Sequence, residues 1–203
     1  MTEDNRLYSP STARNRGAIL GVLQRYLPDK GKVLEVASGT GEHVIYFAQK
    51  SSSELIFQPT DPDLKARSSI DAWAVSRNIP NVRRALKLDT TDKVWPVANF
   101  DVVLCINMTH IAPWAATEGL LYGASQVLAS GGILYIYGPF YFKGCYIAPS
   151  NIAFDLELRE RNPNWGIRDV EAVLDLAKSN HLQPLIIEQM PVNNLSLVFK
   201  NSP

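Results

Sequence analysis

The chain has 203 residues, 46% of them hydrophobic and 20% charged; this is an ordinary globular balance that excludes wholesale disorder and, at about 150 residues per domain, predicts a single domain over residues 1–203. Its 20 Lys+Arg cancel its 20 Asp+Glu, so no bulk charge draws it to nucleic acid or to an anionic membrane. Two cysteines, Cys105 and Cys145, exclude a disulfide scaffold; with no spanning apolar run and no secretory core in MTEDNRLYSPS, they lead us to expect a cytoplasmic protein.

Ser9-Pro10 predicts a helix start, with Ser9 as N-cap, and Ile19, Leu20, Leu23 and Leu27 then recur at helical spacing until Pro28. Lys32 to Ala37 reads as a first strand, Ser38 to Gly41 as a tight turn and Glu42 to Gln49 as a helix. A second strand, Leu55 to Gln58, precedes a helix from Asp63 to Arg77, and Arg84 to Leu88 reads as a third strand. Phe100 to Asn107 and Gly132 to Gly138 are almost continuously apolar, as parallel strands covered on both faces are. Between them Trp114, Thr117, Leu121, Ala124 and Leu128 line one helical face, with Gly131-Gly132 as the expected stop. Asn151 to Arg161 and Arg168 to Asn180 read as helices, and Trp165 to Asp169 as a reversal that caps the second of them. Leu185 to Gln189 and Leu195 to Lys200 are strands joined by Pro-Val-Asn-Asn, too short a link for a helical crossover, so this last pair is antiparallel. The alternation predicts an α/β fold: a doubly wound, mostly parallel sheet ending in an antiparallel hairpin.

The chemistry concentrates where strands end. The first strand runs into Gly39-Thr40-Gly41, a turn in which bare backbone can approach a ligand at a helix N-terminus. The second strand ends near Asp61, 20 residues beyond Gly41, the spacing of a carboxylate that accepts ribose hydroxyls. The third ends at Asp89-Thr90, a second acceptor beside an adenine, and the fourth at Asn107. In this order they point to an adenosine-containing cofactor in the crevice outside the strands' carboxyl ends. A dinucleotide fingerprint wants a third glycine where Val44 stands. Glu35, within the first strand, suits a cationic aminoacyl group better than a pyrophosphate, a charge pattern that S-adenosylmethionine matches.

Glu35-Val36-Ala37-Ser38-Gly39-Thr40-Gly41, Asp61, Asp89 and the strand Phe100 to Asn107 resemble the class I S-adenosylmethionine-dependent methyltransferases. The resemblance implies a seven-stranded Rossmann-like sheet of order 3-2-1-4-5-7-6, with S-adenosylhomocysteine as the spent cofactor. Ala37 departs from the glycine often found there. Longer motifs, RLYSPSTARNR, VLEVASGTGEH, GPF and SNIAFDLELRERNPNWGIRD, resemble one small family of unassigned function, that of methyltransferase-like twenty-six. From the resemblance, residues 1–30 form a helical cover in which Arg14 or Asn15 meets the cofactor's carboxylate, with Tyr8 on the substrate side.

The candidate base is His110, three residues past Asn107. Asn107-Met108-Thr109-His110 is not the Asn/Asp-Pro-Pro-aromatic motif of enzymes acting on DNA bases or glutamine. Residues 139–167 are read as a substrate-side insertion, in which Phe140, Tyr141, Phe142 and Tyr146 form a lid or a flat pocket, or are simply buried. Asn151, Asp155 and Arg159 share a helical face, as an anchor for a polar acceptor or as a surface ion pair. No metal site is expected. The reading is methyl transfer to a small molecule; a non-catalytic cofactor-binding module, a protein or peptide methyltransferase and a nicotinamide oxidoreductase are the rivals. Oligomeric state is not legible.

Overall fold

The apolar runs and the turns between them build an open twisted sheet. The computed structural model describes residues 4–142 and 148–202. Its elements are α1 (Pro10–Leu23), β1 (Gly31–Val36), α2 (Glu42–Lys50), β2 (Leu55–Pro59), α3 (Leu64–Ser76), β3 (Phe100–Ile106), α4 (Trp114–Val127), β4 (Leu128–Tyr141), α5 (Pro149–Arg161), β5 (Arg168–Asp169), α6 (Val170–Ser179), β6 (Leu182–Met190) and β7 (Asn194–Asn201). Strand order is β2-β1-β3-β4-β7-β6, with β5 pairing the end of β4 as the seventh strand. β1, β2, β3 and β4 pair in parallel, and β7 lies antiparallel between β4 and β6.

Side chains alternate across this sheet. Leu34, Val36, Val103, Cys105, Leu134 and Ile136 join one core beneath α4 and α6. Val33, Val102, Leu104, Tyr135 and Val198 join the other with α1, α2 and α3. Both faces are covered, which is why β3 and the 132–138 stretch of β4 read as almost continuously apolar.

Four local expectations are corrected. The expected strand Arg84 to Leu88 is an edge segment making only two isolated parallel bridges to the second strand and its exit, Val82 to Phe57 and Leu86 to Thr60. Side chains take the intervening backbone groups: Asp71 accepts the Ala85 amide at 2.8 Å and Gln58 donates to the Arg84 carbonyl at 2.9 Å. Gly131 and Gly132 do not stop α4; the chain passes from Val127 directly into β4, and the glycines lie inside that strand beside a register shift. Ser9 occupies the N-cap position without capping, because its hydroxyl pairs with that of Ser11. The last helix begins at Val170 rather than Arg168, with Asp169 accepting the Glu171 amide at 3.0 Å as its cap.

Candidate cofactor and acceptor site

Two backbone reversals at the carboxyl edge of the sheet organise the site. After β1, Ala37, Gly39 and Gly41 have φ of 56°, 57° and 90°; after β3, Asn107 has φ of 58° and donates its amide to the Tyr137 carbonyl at 2.8 Å. The left-handed region costs an alanine about 1–2 kcal/mol, whereas asparagine visits it more readily. The two glycines serve different ends. A Cβ on Gly39 would meet nothing within 4 Å, so this backbone faces open space. A Cβ on Gly41 would lie 2.8 Å from the Ile70 Cα, so Gly41 lets α3 pack against the start of α2 rather than exposing backbone to a ligand.

Asp61 leaves β2 beside this turn. Its carboxylate accepts the Gly39 amide and the Asp63 amide, each at 2.9 Å, and burial raises its pKa. Each oxygen retains one lone pair for a further donor. Glu35 lies beneath, 2% exposed, with burial raising its carboxyl pKa to about 8. Its Oε2 has no hydrogen-bond partner among the described residues. Such a group holds its proton or awaits a cation. Thr40 is drawn into the turn: its hydroxyl donates to Glu42 at 3.1 Å and its carbonyl accepts from Ser69 at 2.7 Å. Glu42 also accepts the Ser9 amide, at 2.6 Å, which straps the N-terminal segment over the turn. Asp89 accepts the Thr91 amide and hydroxyl at 2.9 and 2.7 Å, and Thr90 is buried beside it.

A cleft of about 500 Å³ opens between α1, the loop after β3, the end of β4, α5 and the hairpin turn; it brings together Arg14, Asn15, Asn107, His110 and Asn151. Asn15 also bonds His43 of α2 at 2.9 Å, and burial, then Arg16, holds that imidazole down to about 4. His110 is 5% exposed, edge-on to Phe154 at 5.7 Å, and burial followed by the Arg168 charge lowers its pKa to about 4. Its Nδ1 has no partner among the described residues. Phe140 and Tyr141 line a neighbouring cleft of about 250 Å³ that shares Asn151 and Asn194. Among the described residues no group of three or more His, Cys, Asp or Glu could hold a metal.

Other expected residues lie elsewhere. Tyr8 stands edge-on to Trp73 at 5.0 Å and lines neither cleft. Asp155 and Arg159 pair at 2.7 Å, and Asp155 also accepts the Ile167 amide at 2.6 Å, so the pair holds the 164–167 loop instead of facing the cleft. Tyr146 falls outside the described residues. The sequence reading missed Tyr137, Phe154, Asn194 and Arg168. The first three line the cleft. Arg168 donates to the carbonyls of Thr109 at 3.0 Å and Ala112 at 2.5 Å, fixing both sides of His110. Its only sequence signal was a charged residue beside a helix cap.

These turns, the strand order and the terminal antiparallel pair define the class I methyltransferase fold. The chain belongs to the family described as "Protein of unknown function (DUF938)", which matches residues 6–201. Solved structures share the architecture. A protein of Nostoc punctiforme PCC 73102 assigned as an O-methyltransferase superimposes with a TM-score of 0.80 at 17% identity, over 94% of this chain and 57% of its own. CalO1, a methyltransferase in calicheamicin biosynthesis solved in its SAH-bound form, gives 0.73 at 14% identity, over 93% and 54%. The PH0226 protein of Pyrococcus horikoshii OT3 gives 0.73 at 14% identity, over 96% and 92%. This chain therefore spans somewhat over half the length of the first two. No described helix is long and apolar enough to cross a membrane.

Proposed function

We propose that this chain is an S-adenosylmethionine-dependent methyltransferase acting on a small molecule. The observation that carries the reading is one juxtaposition: a buried carboxyl, Glu35, whose Oε2 has no hydrogen-bond partner among the described residues, lies next to a turn whose Gly39 backbone is open, and Asp61 is hydrogen-bonded to that same turn. These residues fit the cofactor's parts. Glu35 offers a counter-charge to its ammonium, Asp61 acceptors for its ribose hydroxyls and the Gly39 face room for close approach. When bound, S-adenosylmethionine supplies a methyl on a sulfonium sulfur, whose carbon–sulfur bond breaks, leaving the electron pair on sulfur, as the acceptor atom bonds to that carbon.

The chain's own contribution is positioning. Asn107, held in the left-handed region, and His110, held by Arg168 through the flanking carbonyls, share the cleft with Asn15 and Tyr137. Orientation of this kind supplies several kcal/mol of barrier reduction. His110 is neutral at physiological pH and receives a proton that the acceptor gives up; with its pKa near 4 it is a weak base, suited to acceptors that are already acidic. The cleft volume matches a small molecule rather than a macromolecular chain. The motifs resembling the small methyltransferase-like family support the same assignment.

Calorimetry with S-adenosylmethionine, S-adenosylhomocysteine and NADH, followed by transfer of tritiated methyl into a metabolite extract, tests this. Saturable binding of the two sulfur ligands and label in the small-molecule fraction are expected. Binding of NADH alone overturns the cofactor, and label confined to macromolecules overturns the acceptor class.

A further inference from the structure

We infer that the acceptor is a small carboxylic acid, or an equivalent monoanion, whose negative group is held by Arg14 while an apolar body lies along the cleft. This deepens the methyltransferase reading and rests on it; it also moves Arg14 from the cofactor's carboxylate, its expected partner, to the acceptor, because Arg14 lines the cleft of His110, whose lining includes none of Glu35, Gly39 or Asp61.

The charge inventory of the cleft carries the inference. Among the described residues lining it, Arg14 is the only one with a permanent charge, and none is Asp, Glu or Lys. Arg14 is exposed on α1 and forms no salt bridge among the described residues. Two carboxylates on elements packed around the cleft, Glu42 of α2 and Asp155 of α5, are occupied elsewhere. Glu42 accepts from the Ser9 amide and the Thr40 hydroxyl, and Asp155 is held by Arg159 and the Ile167 amide. A cationic acceptor entering here finds no counter-charge; an anionic one finds a guanidinium, the side chain best shaped for a carboxylate. Apart from the His110 imidazole, the remaining polar lining is of amides and hydroxyls, such as Asn15, Asn151 and Asn194, which bond neutral groups without asking for charge.

The other walls are apolar. Ile111, Pro139, Phe154 and Val192 line the same cleft. Val192 is 81% exposed and has φ of 61°. A β-branched residue in that region is a true outlier, and such strain persists where surrounding structure holds it. The hairpin turn thus keeps an isopropyl group at the mouth of the cleft rather than a residue suited to the turn.

The test compares three phenols alike in body and different in charge: 4-hydroxybenzoate, 4-hydroxybenzamide and tyramine. Each is titrated into protein saturated with S-adenosylhomocysteine, wild type and Arg14→Gln, a conservative change on an exposed helix position. We expect the benzoate to bind about tenfold more tightly than the amide and the amine, as a charge-assisted pair warrants. Arg14→Gln brings the benzoate to the level of the amide and leaves S-adenosylhomocysteine affinity within about twofold. Equal or weaker binding of the benzoate in the wild type overturns the inference, as does a preference that survives Arg14→Gln. A loss of S-adenosylhomocysteine affinity in Arg14→Gln also overturns it, by returning Arg14 to the cofactor's carboxylate. Failure of wild-type protein to bind S-adenosylhomocysteine at all refutes the methyltransferase reading itself, a result distinct from cofactor binding without anion preference.

Discussion

The Asp61 carboxylate accepts the Gly39 amide at 2.9 Å, so the exit of β2 clamps the turn that follows β1. Its other oxygen accepts the Asp63 amide, also at 2.9 Å. One buried acid thereby sets the position of the open Gly39 backbone and leaves a lone pair on each oxygen for a further donor, which the proposed function assigns to a ribose. Asp61→Ala removes both functions. We expect S-adenosylhomocysteine binding to weaken by about 1–3 kcal/mol in calorimetry, the cost of losing a charged hydrogen-bond partner. An unchanged Kd refutes the ribose role.

The two glycines of the turn separate binding from folding. Gly41→Ala forces a Cβ to 2.8 Å from the Ile70 Cα at a φ of 90°, and should lower stability by about 2–4 kcal/mol through backbone strain and overpacking. Gly39→Ala meets no atom within 4 Å and bears only the left-handed backbone cost of about 1 kcal/mol. Its methyl group nevertheless fills the open face. Denaturant midpoints are expected to fall mainly for Gly41→Ala, whereas cofactor titrations fail mainly for Gly39→Ala. The reverse pattern shows that the ligand approaches elsewhere.

Glu35 links pH to stability. Burial raises its pKa from 4.5 to about 8, so the folded state holds a proton that the unfolded chain releases. Stability from this group is therefore complete below about 4.5 and is lost as pH rises toward 8. Glu35→Gln removes that loss. Its Tm should exceed the wild type's by several degrees at pH 8, at roughly 2–4 °C per kcal/mol, and the gap should close toward pH 4. The same variant should bind S-adenosylmethionine more weakly, because the counter-charge is gone. A constant Tm difference across this range contradicts the assignment.

His43 runs the opposite way. Its folded pKa, about 4, lies below the ordinary 6.5, so stability is full above 6.5 and drains as pH falls toward 4. His43→Gln can keep a polar group near Asn15 and carries no titrating ring. Its unfolding free energy, read from denaturant titrations between pH 6.5 and 4, should fall less than the wild type's, by on the order of 2–3 kcal/mol over the interval. Parallel profiles would show that burial of His43 contributes nothing to acid sensitivity.

Periodicity and turn chemistry, which are local, sufficed for the architecture. The almost continuously apolar runs Phe100 to Asn107 and Gly132 to Gly138 marked buried parallel strands, and the short Pro191–Asn193 link marked the antiparallel end. The segment Arg84 to Leu88 was over-read as a strand because its ladder is interrupted by Asp71 and Gln58, side chains that sequence spacing does not bring near it. The same limit governed the site. Glu35, the glycine turn and Asp61 were legible as a series because they stand at the last residues of a strand or just past its end, in a fixed order.

By itself, then, the sequence determined the strand–helix alternation, the terminal hairpin and the carboxyl-edge series from Glu35 to Asn107. Only the tertiary structure decided which residues meet. It set Asn151 of α5 beside Asn107 and His110, turned Asp155 and Arg159 toward their own loop, and drew Arg168 across to the carbonyls around His110. It also divided the glycines, opening Gly39 and packing Gly41 on Ile70. The physical reason is range: propensity and periodicity act within a few residues along the chain. The direction a side chain faces across a loop is settled by packing partners, and here several of those lie dozens of residues away.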